Sequence, residues 1–300
     1  MRGGAVVSVV MSKQSILVFA AMAGSLAFAD DRFKEPFRYS YTVPATGAKL
    51  DLSGFNGGVE VIGVEGNTVE VTGTKYAKDA GTLPEVKIEG VQEGGVLRIH
   101  AVRPASNKGQ GCNCGVSFVV RAPKRMELQS VTSSNGSMRV ENFDSVANLR
   151  TSNGSMKLTQ LKGRVEARTS NGGVTLEDVS GAMRIETSNG SIRGRILDTA
   201  AGNPVVLSTS NGTVDVRLEA TRNNDITVTT SNGSIHLRMP EAANAKISAR
   251  TSHHESVTTD FPMAIRGTLS KGQLDGTLGN GSGPSIRLET SNGSIKLLRL

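Results

Sequence analysis

The tripeptide Ser-Asn-Gly returns at 134–136, 152–154, 170–172, 188–190, 210–212, 231–233 and 291–293. The first four copies are 18 residues apart, and the next two intervals are 22 and 21. Ser252-His253-His254 stands 21 residues further on, where another copy is due. A unit this short cannot bury an apolar face by itself, so a chain built from such units must stack them.

Aligned on the tripeptide, the copies form columns. Before the turn stand Leu149, Ala167, Ile185, Leu207, Val228, Ala249 and Leu288, and after it Met138, Met156, Val174, Ile192, Val214, Ile235 and Ile295. Two residues later come Val140, Leu158, Leu176, Val216, Leu237 and Leu297, with Gly194 as the exception. The residues between them are mostly polar. This alternation marks strands with one buried face and leaves no helical stripe. A second turn falls near Gly163 and Gly181, so each repeat holds two or three short strands. The expected fold is an all-β parallel β-helix or solenoid, right-handed by the usual rule for parallel crossovers.

The turn pairs Asn135 with Gly136, and likewise Asn153-Gly154, Asn171-Gly172, Asn189-Gly190, Asn211-Gly212, Asn232-Gly233 and Asn292-Gly293. Asn and Gly tolerate positive φ, which suggests a left-handed corner at each copy. Stacking would also put the asparagines in one column, where their amides can bond in a ladder. The preceding threonines form a neighbouring column. A catalytic Ser or Asn is needed once, so a residue repeated at every turn is read as structural.

Residues 30–115 carry a worn version of the pattern. Leu52-Ser53-Gly54-Phe55-Asn56-Gly57-Gly58 resembles the turn, and Val69-Glu70-Val71, Val86-Lys87-Ile88 and Leu97-Arg98-Ile99 alternate like strands. Terminal repeats of solenoids are commonly atypical caps, so 30–115 is expected to be a degenerate N-terminal β cap and 116–300 the solenoid proper. Residues 255–285 interrupt the spacing. The terminal strand Ser294 to Leu300 lacks a polar cap, which suggests an open edge able to self-associate into a homo-oligomer.

Residues 1–29 read as a signal peptide. Lys13 supplies charge, Ile16 to Ala23 are apolar, and Ala27-Phe28-Ala29 fits a small-x-small cleavage site. The apolar run is too short for a membrane span, and none follows it. Export to the periplasm, envelope or exterior is the expectation. Cleavage would lower the formal charge from +7 to +5 by removing Arg2 and Lys13. Without a concentrated basic patch or interleaved aromatics, nucleic acid is not an expected partner.

Few residues suggest chemistry. Cys112 and Cys114, the only cysteines, suit a local or intermolecular disulfide at a loop tip. His253-His254-Glu255 is a weak metal candidate, since adjacent strand residues point to opposite faces. The turns lack the regular Asp that calcium would require, so no cofactor is expected. Arg193, Arg195, Arg217 and Arg238 make the later repeats basic on one outward face, a candidate surface for an acidic glycan or envelope protein. Acids are scattered rather than paired, against a polysaccharide-processing enzyme. The expected function is non-catalytic binding through a solenoid face, with a self-assembling scaffold as the alternative.

The repeated T-S-N-G-S-I turns, the segment Val119-Val120-Arg121-Ala122-Pro123-Lys124 and the glycine-rich run Gly272 to Gly283 before the last copy resemble the DUF4097 family of bacterial exported, adhesin-like β-repeat proteins. That resemblance covers about residues 45–298. It implies a β-helical fold and an envelope location, and supplies no catalytic residues. His253-His254 depart from its Asn-Gly pattern.

Overall fold

The computed structural model describes residues 32–105, 112–197, 202–220, 224–252, 255–265 and 270–300. The signal-like segment, His253 and His254 therefore lie outside the described residues. Each regular repeat forms two strands. Ala147–Asn153 runs into the Ser-Asn-Gly corner, and Met156–Leu161 runs out of it. The second corner then returns the chain to Val165–Asn171, which lies parallel and in register beside Ala147–Asn153. Thr151 pairs with Thr169 and Leu149 with Ala167, while on the other side Met156 pairs with Val174 and Leu158 with Leu176. One turn of the chain is thus one coil of a parallel β-solenoid, with hydrogen bonds running between coils.

Among the described residues the strands entering the corner belong to a 13-stranded inbound sheet and those leaving it to a 12-stranded outbound sheet; antiparallel strands complete the inbound sheet at both ends and the outbound sheet at its N-terminal end. Their apolar columns are buried between the sheets in one continuous core, which includes Leu149, Ile185, Leu207 and Val228 from one side and Met156, Leu158, Val174 and Ile235 from the other. The alternating sequence pattern is the in-and-out pattern of these strands.

The two corners solve different problems. At the Ser-Asn-Gly corner none of Gly136, Gly154, Gly172, Gly190, Gly212, Gly233 and Gly293 has a positive φ, and of the column asparagines only Asn56 does. The expected left-handed corner is corrected. Glycine is required because coils stack backbone on backbone there. A Cβ at Gly154 would overlap the Gly136 carbonyl oxygen and sit 2.5 Å from its carbon and 3.0 Å from Ser137 N. Positive φ is used at the other corner, by Asn142, Gln160 and Asp178 and by Gly163 and Gly181.

Stacking order differs from chain order at both ends. Lys49–Ser53 and Val59–Val64 already form a coil, and it lies between the later coil Val96–Val102/Cys114–Pro123 and the coil Glu127–Asn135/Met138–Phe143. Outside these, antiparallel strands close the N-terminal end. Thr68–Ala77 and Phe33–Thr42 extend the outbound sheet, and Lys87–Glu93 extends the inbound one. Gln92 Nε2 donates to Thr42 O across the gap at 2.9 Å.

At the other end, Ser285–Asn292 is held between Ile226–Asn232 and Ala245–Thr251. Ile295–Arg299 is likewise held between Ile235–Met239 and Val257–Thr259. The strand expected to be an open edge is therefore interior to its sheet. The outermost coil is the degenerate one, backed on the inbound side by the antiparallel strands Gln273–Leu278 and Ala264–Ile265.

Candidate functional site

The corner residues are consumed by the fold. Asn153 Nδ2 donates to Asn135 Oδ1 at 2.6 Å, Asn171 to Asn153 at 2.7 Å, and Asn189 to Asn171 at 2.8 Å. The ladder continues through Asn211, Asn232 and Asn292, and at its start Asn135 donates to Asn56. Asn56 in turn donates to the Cys114 carbonyl at 3.0 Å, and a Cys112–Cys114 disulfide closes the loop carrying that carbonyl. Beside this ladder the buried threonines turn their hydroxyls to the glycine carbonyls of the coil before, as Thr169 does to Gly154 O at 2.9 Å and Thr187 to Gly172 O at 2.8 Å. Among the described residues the column threonines from Thr151 to Thr290 are thereby all partnered. The outward rows carry the side chains that the corner does not use.

On the outbound sheet, Arg195, Arg217 and Arg238 do form one row, in register from coil to coil, with Arg193 beside them. The row is not a bare cationic surface. Arg195 meets Asp178 at 2.5 Å, Arg217 meets Glu219 at 2.7 Å, and Arg238 is paired with Asp215. The same holds towards the N-terminal end. Lys157 reaches Glu177 at 2.7 Å, and hydrogen bonding from that ammonium is the main cause holding the Glu177 carboxyl below its ordinary pKa. Arg139 is paired with Glu141 at 3.0 Å, and that hydrogen bond raises the guanidinium pKa. Charge is cancelled locally, pair by pair. Arg193 has no ion pair among the described residues.

The inbound sheet carries the arrangement that sequence reading passed over. Arg150 and Arg168 stack in register, with the serines Ser152, Ser170 and Ser188 beside them on successive coils. Arg168 is held by Glu166 at 2.7 Å and Glu186 at 2.8 Å, whereas Arg150 has no ion pair among the described residues. Together they line an open depression of about 500 Å³ with Glu186 and Ser208. A second depression, about 320 Å³, adjoins it and shares Arg150 and Arg168 while adding Ser130, Thr132 and Asn148. The signal was available in the columns. Arg150 and Arg168 occupy the same repeat position, and in-register stacking puts equal positions side by side.

Among the described residues no group of three His, Cys, Asp or Glu is placed to hold a metal ion. His236 lies in an outward row between Asp215 and Lys296, and His100 is at the N-terminal end of the inbound sheet. No helix among the described residues is long and apolar enough to cross a membrane.

No curated protein matches the chain. Several solved structures do, at low identity. A "putative cell adhesion protein" from Clostridium sporogenes is 14% identical, with 89% of this chain and 100% of that one covered and a TM-score of 0.30. A "putative adhesin" from Bacteroides fragilis is 13% identical over 89% and 97%, with a TM-score of 0.42. A "putative lipid binding protein" from Parabacteroides distasonis is 13% identical over 88% and 96%, at 0.32. Likenesses this distant carry no functional argument. The family model described as Toastrack DUF4097 matches residues 50–298, most of the chain and nearly all of its stacked coils, and the chain belongs to that family.

Proposed function

We propose that this is a non-catalytic, exported envelope protein that binds an acidic cell-surface glycan along the inbound face of its solenoid. The observation that carries the reading is the polar depression around Arg150 and Arg168, with its row of serines. Rows repeat at the strand spacing of about 4.8 Å, so an extended polymer laid across the coils meets a series of hydroxyls flanked by guanidinium groups. Arg150 has no competing carboxylate partner among the described residues, and guanidinium groups suit carboxylate or sulfate oxygens.

The outbound arginines serve less well, because a ligand would have to displace Asp178, Glu219 and Asp215. Those same pairings support a non-catalytic reading, since the carboxylates are tied to cations rather than left free for acid–base work. Export is supported by the signal-like start and by a local disulfide suited to an oxidising compartment.

The test is binding to acidic and neutral polysaccharides at two salt concentrations. Charge reversal at Arg150 and Arg168 together is expected to weaken acidic-glycan binding at least tenfold, with Arg195→Ala, Arg217→Ala and Arg238→Ala near native. Binding that is absent, or lost only with the outbound variants, overturns the proposal.

A further inference from the structure

The coil made by Ser285–Asn292 and Ile295–Arg299 occupies a slot between two coils that are consecutive in sequence. Its two neighbours are already matched to each other. Thr230 and Thr251 both pair with Thr290, Val228 and Ala249 with Leu288, and Ile235 and Val257 with Ile295. If residues 285–300 left the slot, the flanking coils would meet in the same register, apolar residue on apolar residue. Thr230 and Thr251 are 21 residues apart, the same step that separates Thr209 from Thr230 on directly stacked coils.

The connector 240–244 is compatible with both arrangements. It now crosses two strand spacings, roughly 9.6 Å, and five residues reach about 17 Å when extended. The order of synthesis points the same way. Residues 245–259 precede 285–299 in the chain, so a chain emerging from its N-terminus can stack the two flanking coils on each other before the last coil is available.

What receives it is generic. Ile286, Leu288, Ile295 and Leu297 are fully buried, Asn292 donates to Asn232, and Thr290 and Thr251 bond the carbonyls of Gly233 and Gly293. A second copy of this chain offers the identical slot. The distinguishing contacts lie in the connector 279–284. Asn244 Nδ2 donates to Asn280 Oδ1 at 2.6 Å and Ser282 Oγ at 3.0 Å, and its Oδ1 accepts from Gly281 N at 3.0 Å. The N-terminal interleaved coil is pinned differently. The strands before and after it, Phe33–Thr42 and Thr68–Ala77, pair with each other along their whole length.

We infer that residues 285–300 are an exchangeable coil that inserts reciprocally into the slot of a second copy, giving a strand-swapped dimer, and that the Asn244 clasp on the connector favours the self-inserted form. Exchange conserves every slot contact and loses only the connector's contacts, so beyond the entropy of association little opposes swapping at high concentration. The inference does not depend on the glycan reading.

The test uses the full chain. Single variants Thr227→Cys and Arg287→Cys, whose positions are directly paired neighbours, are refolded together at high concentration and treated with a short bismaleimide. The native cysteines are held in their disulfide. A covalent heterodimer joining one variant to the other is expected, and Asn244→Ala should raise the dimer fraction at least fivefold by light scattering. The native background carries the test should Asn244→Ala fold poorly. Monomer throughout, or dimers that yield no Thr227→Cys to Arg287→Cys cross-link, overturns the inference.

Discussion

Gly154→Ala separates two explanations of the corner. If the glycine served positive φ, Asn would be a tolerable substitute, since its short polar side chain visits that region. The structure instead requires glycine because the preceding coil's backbone is too close. The new Cβ would overlap the Gly136 carbonyl oxygen and lie 2.5 Å from its carbon and 3.0 Å from Ser137 N. These are backbone atoms that cannot rotate away, so the two coils must separate locally. Overpacking of this kind costs about 1–3 kcal/mol. Separation also stretches the Asn153–Asn135 bond and the Gly136 N to Asn153 O bond of 3.2 Å, at about 1 kcal/mol each. The expected loss is therefore about 3–5 kcal/mol for Gly154→Ala, and at least as much for Gly154→Asn. Gly81→Ala is the control, because a Cβ there meets nothing within 4 Å, and its effect should stay within about 1 kcal/mol. Urea unfolding monitored by circular dichroism reads the difference. A Gly154→Asn variant close to native, with Gly154→Ala impaired, would refute the close-approach argument and restore the left-handed corner.

Asn171→Ala removes two ladder bonds, to Asn153 and from Asn189, and should lower stability by about 1–3 kcal/mol in the same assay. Thr169→Val keeps the buried shape but leaves the Gly154 carbonyl without its hydroxyl donor, so a loss of about 1–2 kcal/mol is expected, with Thr169→Ser milder. Gln160 has a φ of 52°, and Gln160→Gly should raise the melting temperature by relieving about 1 kcal/mol of backbone strain. Asp275 accepts hydrogen bonds from Gln273 at 2.6 Å and Ser248 at 2.8 Å, which together hold its carboxyl below the ordinary value. A depressed folded pKa stabilises above the unfolded value and loses that contribution as pH falls through the folded one. Amide protection factors in Gln273–Leu278, taken relative to the intrinsic exchange rate at each pH, should accordingly fall on acidification below about pH 4, and Asp275→Asn should flatten that dependence.

What could be read from the chain was whatever depended on repeat position alone. Alternation at 147–151 and 156–161 assigned the buried face, the 18-residue step fixed which residues stack, and the aligned asparagines implied the ladder. Two kinds of information were missing. The first concerns the neighbour across a corner. Asn-Gly suggests positive φ by its own propensities, yet here the adjacent coil's backbone decides, while positive φ falls on Gln160, a residue with no such preference. The second concerns which acid an arginine meets. Arg195, Arg217 and Arg238 formed the expected row, but Asp178 comes from a corner residue of positive φ, and its approach to Arg195 has no counterpart in the repeat alignment.

The interleaved ends show why repeat quality and stacking position go together. The copy at 290–294 is faithful, Thr-Ser-Asn-Gly-Ser, although it follows the degenerate Thr251-Ser252-His253-His254 in sequence. Read along the chain, the pattern decays and then recovers for no evident reason. Read through the stack, the faithful copy is the one with a coil on both sides, and the degenerate copy the one with a parallel neighbour on a single side. Thr290 must bond Gly233 while its own Gly293 carbonyl receives Thr251, so a full motif is needed there. The outermost coil answers to only one such set of bonds. The same logic applies at the start, where Asn56 belongs to an interior coil and keeps its Asn-Gly pair, while the coil outside it, Val96–Val102/Cys114–Pro123, supplies a backbone carbonyl at Cys114 in place of an asparagine. At both ends the Asn-Gly pair is thus kept where a coil has parallel neighbours on two sides, even where the rest of the motif is worn as around Asn56, and a faithful copy out of sequence order marks a segment inserted into the stack.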